Sequence, residues 1–304
     1  MKLLNLKFFI NLNVAIIINF IFSHNCYSRT MEEIIKSGKL NVAVLKPQKD
    51  EFDTNLSIKK NKLIKEYFEK FSSIKLNKRL KLNFIYVNSF ANFWENKHNQ
   101  INTNSSEKPQ LFEKVDAYFE LLSTSNWRNI KATPINIAKS KFSLICDFDP
   151  HYINLNSNEK ILQTLKNPSI KFISIKDSYI DRLYKGLKIS ENKMTYITPK
   201  RGLVQGMIDD KGKNCAFSET MNILKFLANG QIYLISFLPG GDNKDLAWWV
   251  PKDSSQLHQF ISEFHAYLEK SKGLDRIYLT LFGVSYNFYN FIIELSSSQN
   301  SYCQ

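Results

Sequence analysis

The segment WWVPKDSSQLHQFISEFHAYLEKSKGLDRIYLTLFG, residues 248–283, changes its hydrophobic period within a few positions. Its first residues belong to DLAWWVP (245–251), a short apolar run that ends on proline, the pattern of a buried strand. From Ser254 onward Leu257, Phe260, Ile261, Phe264 and Leu268 recur at intervals of three and four, so they share one face of a helix. A buried strand followed at once by a long amphipathic helix is the building unit of an α/β fold.

The rest of the chain repeats that unit. Thr30-Met-Glu-Glu33 is a capping box that opens a short helix with Ile34 and Ile35 on its buried side, and Gly38 ends it. KLNVAVL (39–45) reads as a strand. A polar connection leads to a helix over 57–72, where Leu63, Ile64, Tyr67, Phe68 and Phe71 fall at helical spacing. KLNFIYV (81–87) is the next strand, SFANFWENK (89–97) reads as helical, and HNQINTNSSEKPQ (98–110) as a loop. VDAYFELL (115–122) returns to strand and runs into LLSTSNWRNIKATP (121–134), where an Arg stands among short polar residues.

Beyond it KFSLICDF (141–148) is strand-like. Asn156 with Glu159, and Ser178 with Asp181, cap two further helices on either side of the strand IKFISI (170–175). MTYIT, GLVQGMID, NCAFS and QIYLISFL continue the alternation to residue 238. It predicts an α/β architecture with largely parallel sheets, and 304 residues suit two lobes.

Composition fits a globular protein, with 43% hydrophobic and 23% charged residues. The beginning departs from it. Lys2 and Lys7 precede the apolar FFINLNVAIIINFIFS (8–23), and the small or polar SHNCYS (23–28) follows. That order is a secretory signal peptide over 1–28, with cleavage after Ser28 and a periplasmic location; an uncleaved anchor is the alternative. Removing it lowers the formal charge from +13 to +11. The basic residues are scattered and no nucleic-acid motif accompanies them, which reads as a solvated basic surface. Cys146, Cys215 and Cys303 would remain, an odd number. One bridge between Cys146 and Cys215 and buried free thiols are both open. The five His residues show no metal-ligand spacing, so neither metal nor cofactor is expected.

MEEIIKSGKLNVAVLKP (31–47) resembles the opening of the family 3 extracellular solute-binding proteins, and residues 248–283 resemble that family's ending, with Lys272-Gly273-Leu274 and Leu281-Phe282-Gly283 in place. Between them VDAYFELLSTSNWR (115–128) stands where the family has an Asp, then a Thr, then an Arg. The resemblance spans roughly 31–284 and extends to the solute-binding-like N-terminal domain of membrane-bound lytic transglycosylases. It implies a two-lobed periplasmic-binding-protein-like fold of type II with two hinge crossings. Lobe 1 would take 29–138 and 240–284, lobe 2 would take 139–239, and 285–304 would form a C-terminal tail.

The same resemblance implies the site. Arg128 aligns with the arginine that clamps a ligand carboxylate, a task for which its planar fork is suited. Ser123 and Ser125 fall near hydroxyl positions, and Ser178 lies in a turn whose amides would meet the same carboxylate. Glu219 stands where an Asp commonly pairs with a ligand amino group, and Trp127, Phe90, Phe93 and Trp94 are candidates for a cleft wall or for core. The aromatic motif that relatives carry after the first strand is replaced here by KPQKDEFDTN. The implied function is capture of an amino acid or related carboxylate by a monomer that serves an ABC permease. The alternative is a periplasmic sensor or cell-envelope interaction module with the same fold. No nucleophile motif, phosphate loop or metal cluster points to an enzyme, and Glu294 is a lone carboxylate on an apolar tail.

Overall fold

The computed structural model describes residues 28–47, 51–152, 155–176, 179–197, 202–210, 212–238 and 244–298. The leader, apart from Ser28, and the Ser178 cap lie outside the described residues. In chain order the elements are α1 (Met31–Ser37), β1 (Lys39–Leu45), α2 (Glu51–Leu76), β2 (Lys81–Val87), β3 (Ala117–Ser123), α3 (Asn126–Lys131) and β4 (Ala132–Ser140). Then come β5 (Phe142–Cys146), α4 (Ser157–Lys166), β6 (Ile170–Ile175), α5 (Tyr179–Gly186), β7 (Met194–Ile197), α6 (Leu203–Asp209), β8 (Lys213–Glu219), α7 (Thr220–Ala228) and β9 (Tyr233–Phe237). The chain closes with β10 (Lys244–Pro251), α8 (Ser255–Lys270), α9 (Gly273–Phe282) and α10 (Tyr286–Ser298).

The strands form two five-stranded sheets, ordered β2-β1-β3-β10-β4 and β7-β6-β8-β5-β9. The expected largely parallel sheets are mixed. β1 runs parallel to β2 and β3, but β10 is antiparallel to both β3 and β4. In the second sheet β6 is parallel to β7 and β8, whereas β5 is antiparallel to β8 and β9. The antiparallel strands are those next to the passages between sheets. Lys141 alone separates β4 from β5, and the return runs from β9 to β10.

Each sheet buries both faces, and strand alternation assigns the side chains. In the first, Val42, Phe119, Trp248 and Val250 pack under α2, α8 and α9 with Phe68, Phe71, Phe260 and Phe264. Ala43, Tyr118, Leu122 and Trp249 face the other way, onto Phe93, Trp94 and Phe112. The consecutive tryptophans Trp248 and Trp249 thus serve opposite faces. In the second sheet Leu144, Phe172 and Phe217 meet α4 and α5, and Ile145, Ile173 and Ala216 meet α6 and α7. Cys146 and Cys215 are register partners on β5 and β8, and a disulfide joins them in the first of these layers.

Local expectations hold where caps and stripes are strong. Thr30 and Glu33 make both bonds of the capping box, as do Asn156 and Glu159, and Gly38 takes a left-handed φ of 69°. Asp116, the buried acid of the 115–128 segment, accepts from Arg29 Nε at 3.0 Å and from the Asn41 amide at 2.7 Å, which ties the start of the chain to the first sheet. The helix expected over 57–72 extends over 51–76, since no glycine or proline interrupts that longer range. SFANFWENK holds only a 3-10 turn, Ala91–Phe93, in place of the expected helix.

Within the expected tail, Tyr286–Ser298 form the helix α10. Tyr286 and Tyr289 of α10 donate to the carbonyls of Ile137 and Lys139 on β4, the first at 3.0 Å. Tyr289 and Ile293 share a cluster with Ala138 and Leu246 of the first sheet and with Met221 and Leu224 of α7. The helix therefore lies against elements attached to both sheets.

Candidate ligand-binding site

β3 ends at Ser123, and the amide of Thr124 still reaches the Asp245 carbonyl of β10 at 2.8 Å. The chain then turns through Ser125 into the short helix α3, which carries Trp127 and Arg128. STSNWR folds this way because three small polar residues in a row offer nothing to bury and release the strand. Arg128 folds back over the turn. Its Nη1 donates to Ser123 O at 2.5 Å and to Ser123 Oγ at 2.7 Å. The guanidinium carbon lies 4.9 Å from the ring centre of Trp127 and 5.3 Å from that of Trp94.

Two adjacent indoles and one serine therefore hold a half-buried cation in place. Its Nε is buried and has no hydrogen-bond partner among the described residues, and the same holds for Ser125 Oγ nearby in sequence. Burial pulls the Arg128 pKa down, and the charge of Glu219 raises it again. Guanidinium stays charged through such a shift. The arrangement is a pre-ordered, half-buried cation, a group suited to a carboxylate.

Glu219 reaches Arg128 electrostatically from the second sheet. It is the last residue of β8 and stands at the cap of α7. Its position is set by Thr220, whose amide and hydroxyl both donate to the carbonyl of Lys141 at 2.8 Å. Lys141 is the single residue between β4 and β5, so the acid is tied to the passage between sheets. Lys244, the first residue of β10, places Nζ 3.8 Å from Glu219 Oε1.

The structure thus gathers Ser123, Ser125, Trp127 and Arg128 on one turn and sets Glu219 within electrostatic reach of it from the other sheet. Ser178 falls outside the described residues. Of the further aromatics, Phe93 and Trp94 are buried, and Phe90 is exposed. Trp94 is the hub beneath Arg128, with edge-to-face contacts to Trp127, Trp249 and Tyr118. Sequence reasoning missed Lys244, whose one available signal is its place two residues before the apolar part of β10. It also missed the stacking of Trp94 on Arg128, which local spacing does not show. Two concavities lie elsewhere. One of about 250 Å³ runs between α4, β9 and Ile292, and one of about 170 Å³ surrounds Arg29 and Asp116. Among the described residues no cluster of three or more His, Cys, Asp or Glu is placed to hold a metal, and no helix is long and apolar enough to cross a membrane.

No protein-family model matches the chain, and no curated protein is similar to it in sequence. Solved structures are similar in shape. The unliganded open L-cystine solute receptor of Neisseria gonorrhoeae is 12% identical with a TM-score of 0.55, covering 85% of this chain and 98% of its own. An ancestral cationic amino acid solute-binding protein is 13% identical with a TM-score of 0.56, covering 83% and 98%. An amino acid ABC transporter substrate-binding protein from Streptococcus pneumoniae, bound to L-arginine, is 16% identical with a TM-score of 0.50, covering 83% and 98%. At these identities the likeness concerns architecture, and it extends over nearly the full length of each of these proteins. Together with the two mixed sheets, it establishes that the chain has a two-lobed, periplasmic-binding-protein-like fold.

Proposed function

We propose that this chain is an exported solute-binding protein that captures a small carboxylate-bearing ligand, an amino acid or a related acid, between its two lobes and presents it to an ABC-type permease. The lobes would be 29–138 with 240–284, and 139–239. The observation that carries the reading is Arg128, a half-buried cation held by Trp94, Trp127 and Ser123 and within electrostatic reach of the acid Glu219. A cation on one lobe facing an acid on the other suits a ligand that bears a carboxylate, and binding in such a cleft favours closure. The solved structures of the same architecture are amino-acid receptors by their descriptions, which supports that ligand class. The apolar leader supports export, and the reading is one of binding rather than catalysis.

The test is a thermal-shift screen of residues 29–304 against amino acids and small carboxylates, followed by calorimetry on Arg128→Ala. A ligand at a hundred times its Kd stabilises the native state by about 2.7 kcal/mol, which a melting curve resolves. Arg128→Ala is expected to weaken binding by at least ~2 kcal/mol, the worth of a charge-assisted pair. Unchanged affinity in a folded Arg128→Ala protein would sink the assignment.

A further inference from the structure

Glu219 is already engaged by a cation that belongs to the chain. Lys244 Nζ lies 3.8 Å from Glu219 Oε1 and 4.6 Å from the ring centre of Phe142. Both partners are only partly shielded, with side-chain exposures of 36% for Lys244 and 29% for Glu219. The backbone places this pair at the ligand site. Lys244 is the register partner of Ser140, and Leu246, two residues on, is the partner of Ser123, whose oxygens hold Arg128. Two cations, Arg128 and Lys244, thus surround one acid.

We infer that Lys244 is a tethered stand-in for the ammonium group of a ligand, and that it sets how strongly the site discriminates between amino acids and acids without an α-amine. The inference rests on the carboxylate reading of Arg128. A ligand whose carboxylate lies on Arg128 and whose ammonium reaches Glu219 must displace Lys244. Otherwise two ammonium groups, that of Lys244 and that of the ligand, crowd the one carboxylate of Glu219. The contact is built to yield, because it is long and half-exposed, and such pairs are weak. The face of Phe142, already 4.6 Å from Nζ, remains a partner for the ammonium once it leaves Glu219. A 2-hydroxy acid makes no such demand, since its hydroxyl accepts a hydrogen bond from Lys244 where it stands. Lys244 therefore handicaps amine-bearing ligands selectively, through competition at Glu219 and not through the carboxylate.

The experiment compares matched pairs on the full mature chain: alanine with lactate, leucine with 2-hydroxyisocaproate, phenylalanine with phenyllactate, and glutamate with 2-hydroxyglutarate. Kd is measured by calorimetry on the natural protein, Lys244→Met and Lys244→Arg. In Lys244→Met the Kd ratio of amino acid to hydroxy acid is expected to fall at least tenfold, with Lys244→Arg restoring the natural ratio. An unchanged ratio in Lys244→Met, or a parallel change for both members of each pair, overturns the inference while leaving the carboxylate site standing. No binding of any probe by any of the three proteins overturns the carboxylate reading and the inference with it. Melting curves without ligand identify a substitution that acts only by loosening the fold.

Discussion

On the proposed reading, Arg128 illustrates what a single side chain needs in order to be a receptor group. It must be charged and fixed. The two indoles and Ser123 supply the fixing. Replacing it by lysine keeps the charge but removes the planar fork and its stacking. Arg128→Lys should therefore weaken ligand binding at least ~10-fold, about 1.4 kcal/mol, with little change in melting temperature. Calorimetry beside a melting curve checks both halves. Trp94 makes the opposite case, because it is buried at the centre of the aromatic cluster. Trp94→Ala should lower unfolding free energy by about 3–5 kcal/mol in denaturant titration. Arg128 and Glu219 were singled out in the sequence because the order of segments around them resembles a known one. Lys244 and the stacking of Trp94 were not, because they depend on which strands become neighbours.

Elements were legible where one local force dominates. The stripe Leu257, Phe260, Ile261, Phe264 and Leu268 is buried along α8 as its spacing requires. SFANFWENK misled because its asparagines bond to the backbone. Asn92 Oδ1 accepts from the Ser89 amide at 3.0 Å, and Asn96 Oδ1 from the amides of His98 and Gln100 at 2.9 and 3.1 Å. Such bonds compete with helix formation. β4 went unread because Pro134 interrupts it, and it is tolerated because β4 lies at the edge of its sheet. On α8, His265 packs its ring against Trp248, its Nε2 has no hydrogen-bond partner among the described residues, and burial pulls its pKa down, partly offset by Glu269. The unfolded chain then binds a proton more readily than the native one, so stability falls as pH drops below about 6.5, down to the depressed native value. His265→Phe should flatten that part of a plot of melting temperature against pH. The Cys146–Cys215 bridge should also show at this scale. Replacing both cysteines by serine is expected to lower stability by about 2–4 kcal/mol, read from denaturant midpoints with and without reductant.

For the molecule as a unit, the alternation of strand and helix could be read from the residues but strand direction could not, because parallel and antiparallel partners differ in how the chain returns rather than in local composition. Nor could the role of the last segment, which reads as a tail and folds as α10. That helix holds β4 through Tyr286 and Tyr289 and packs on α7, so it bears on both sheets at once. Ending the chain at Val284 should lower the melting temperature and broaden the spread of lobe orientations, which small-angle scattering would register as a larger radius of gyration. A truncated protein with unchanged melting and scattering would show α10 to be dispensable. The tryptophans carry a different consequence. All four, Trp94, Trp127, Trp248 and Trp249, belong to the first sheet or to the layers on it, and three of them form the edge-to-face network under Arg128. Excited at wavelengths that select indole, the protein glows from one lobe, and much of that light leaves from beside the guanidinium. On the proposed reading an anion arriving there would perturb the emitters directly, and stopped-flow fluorimetry would follow the time course of capture with no dye attached.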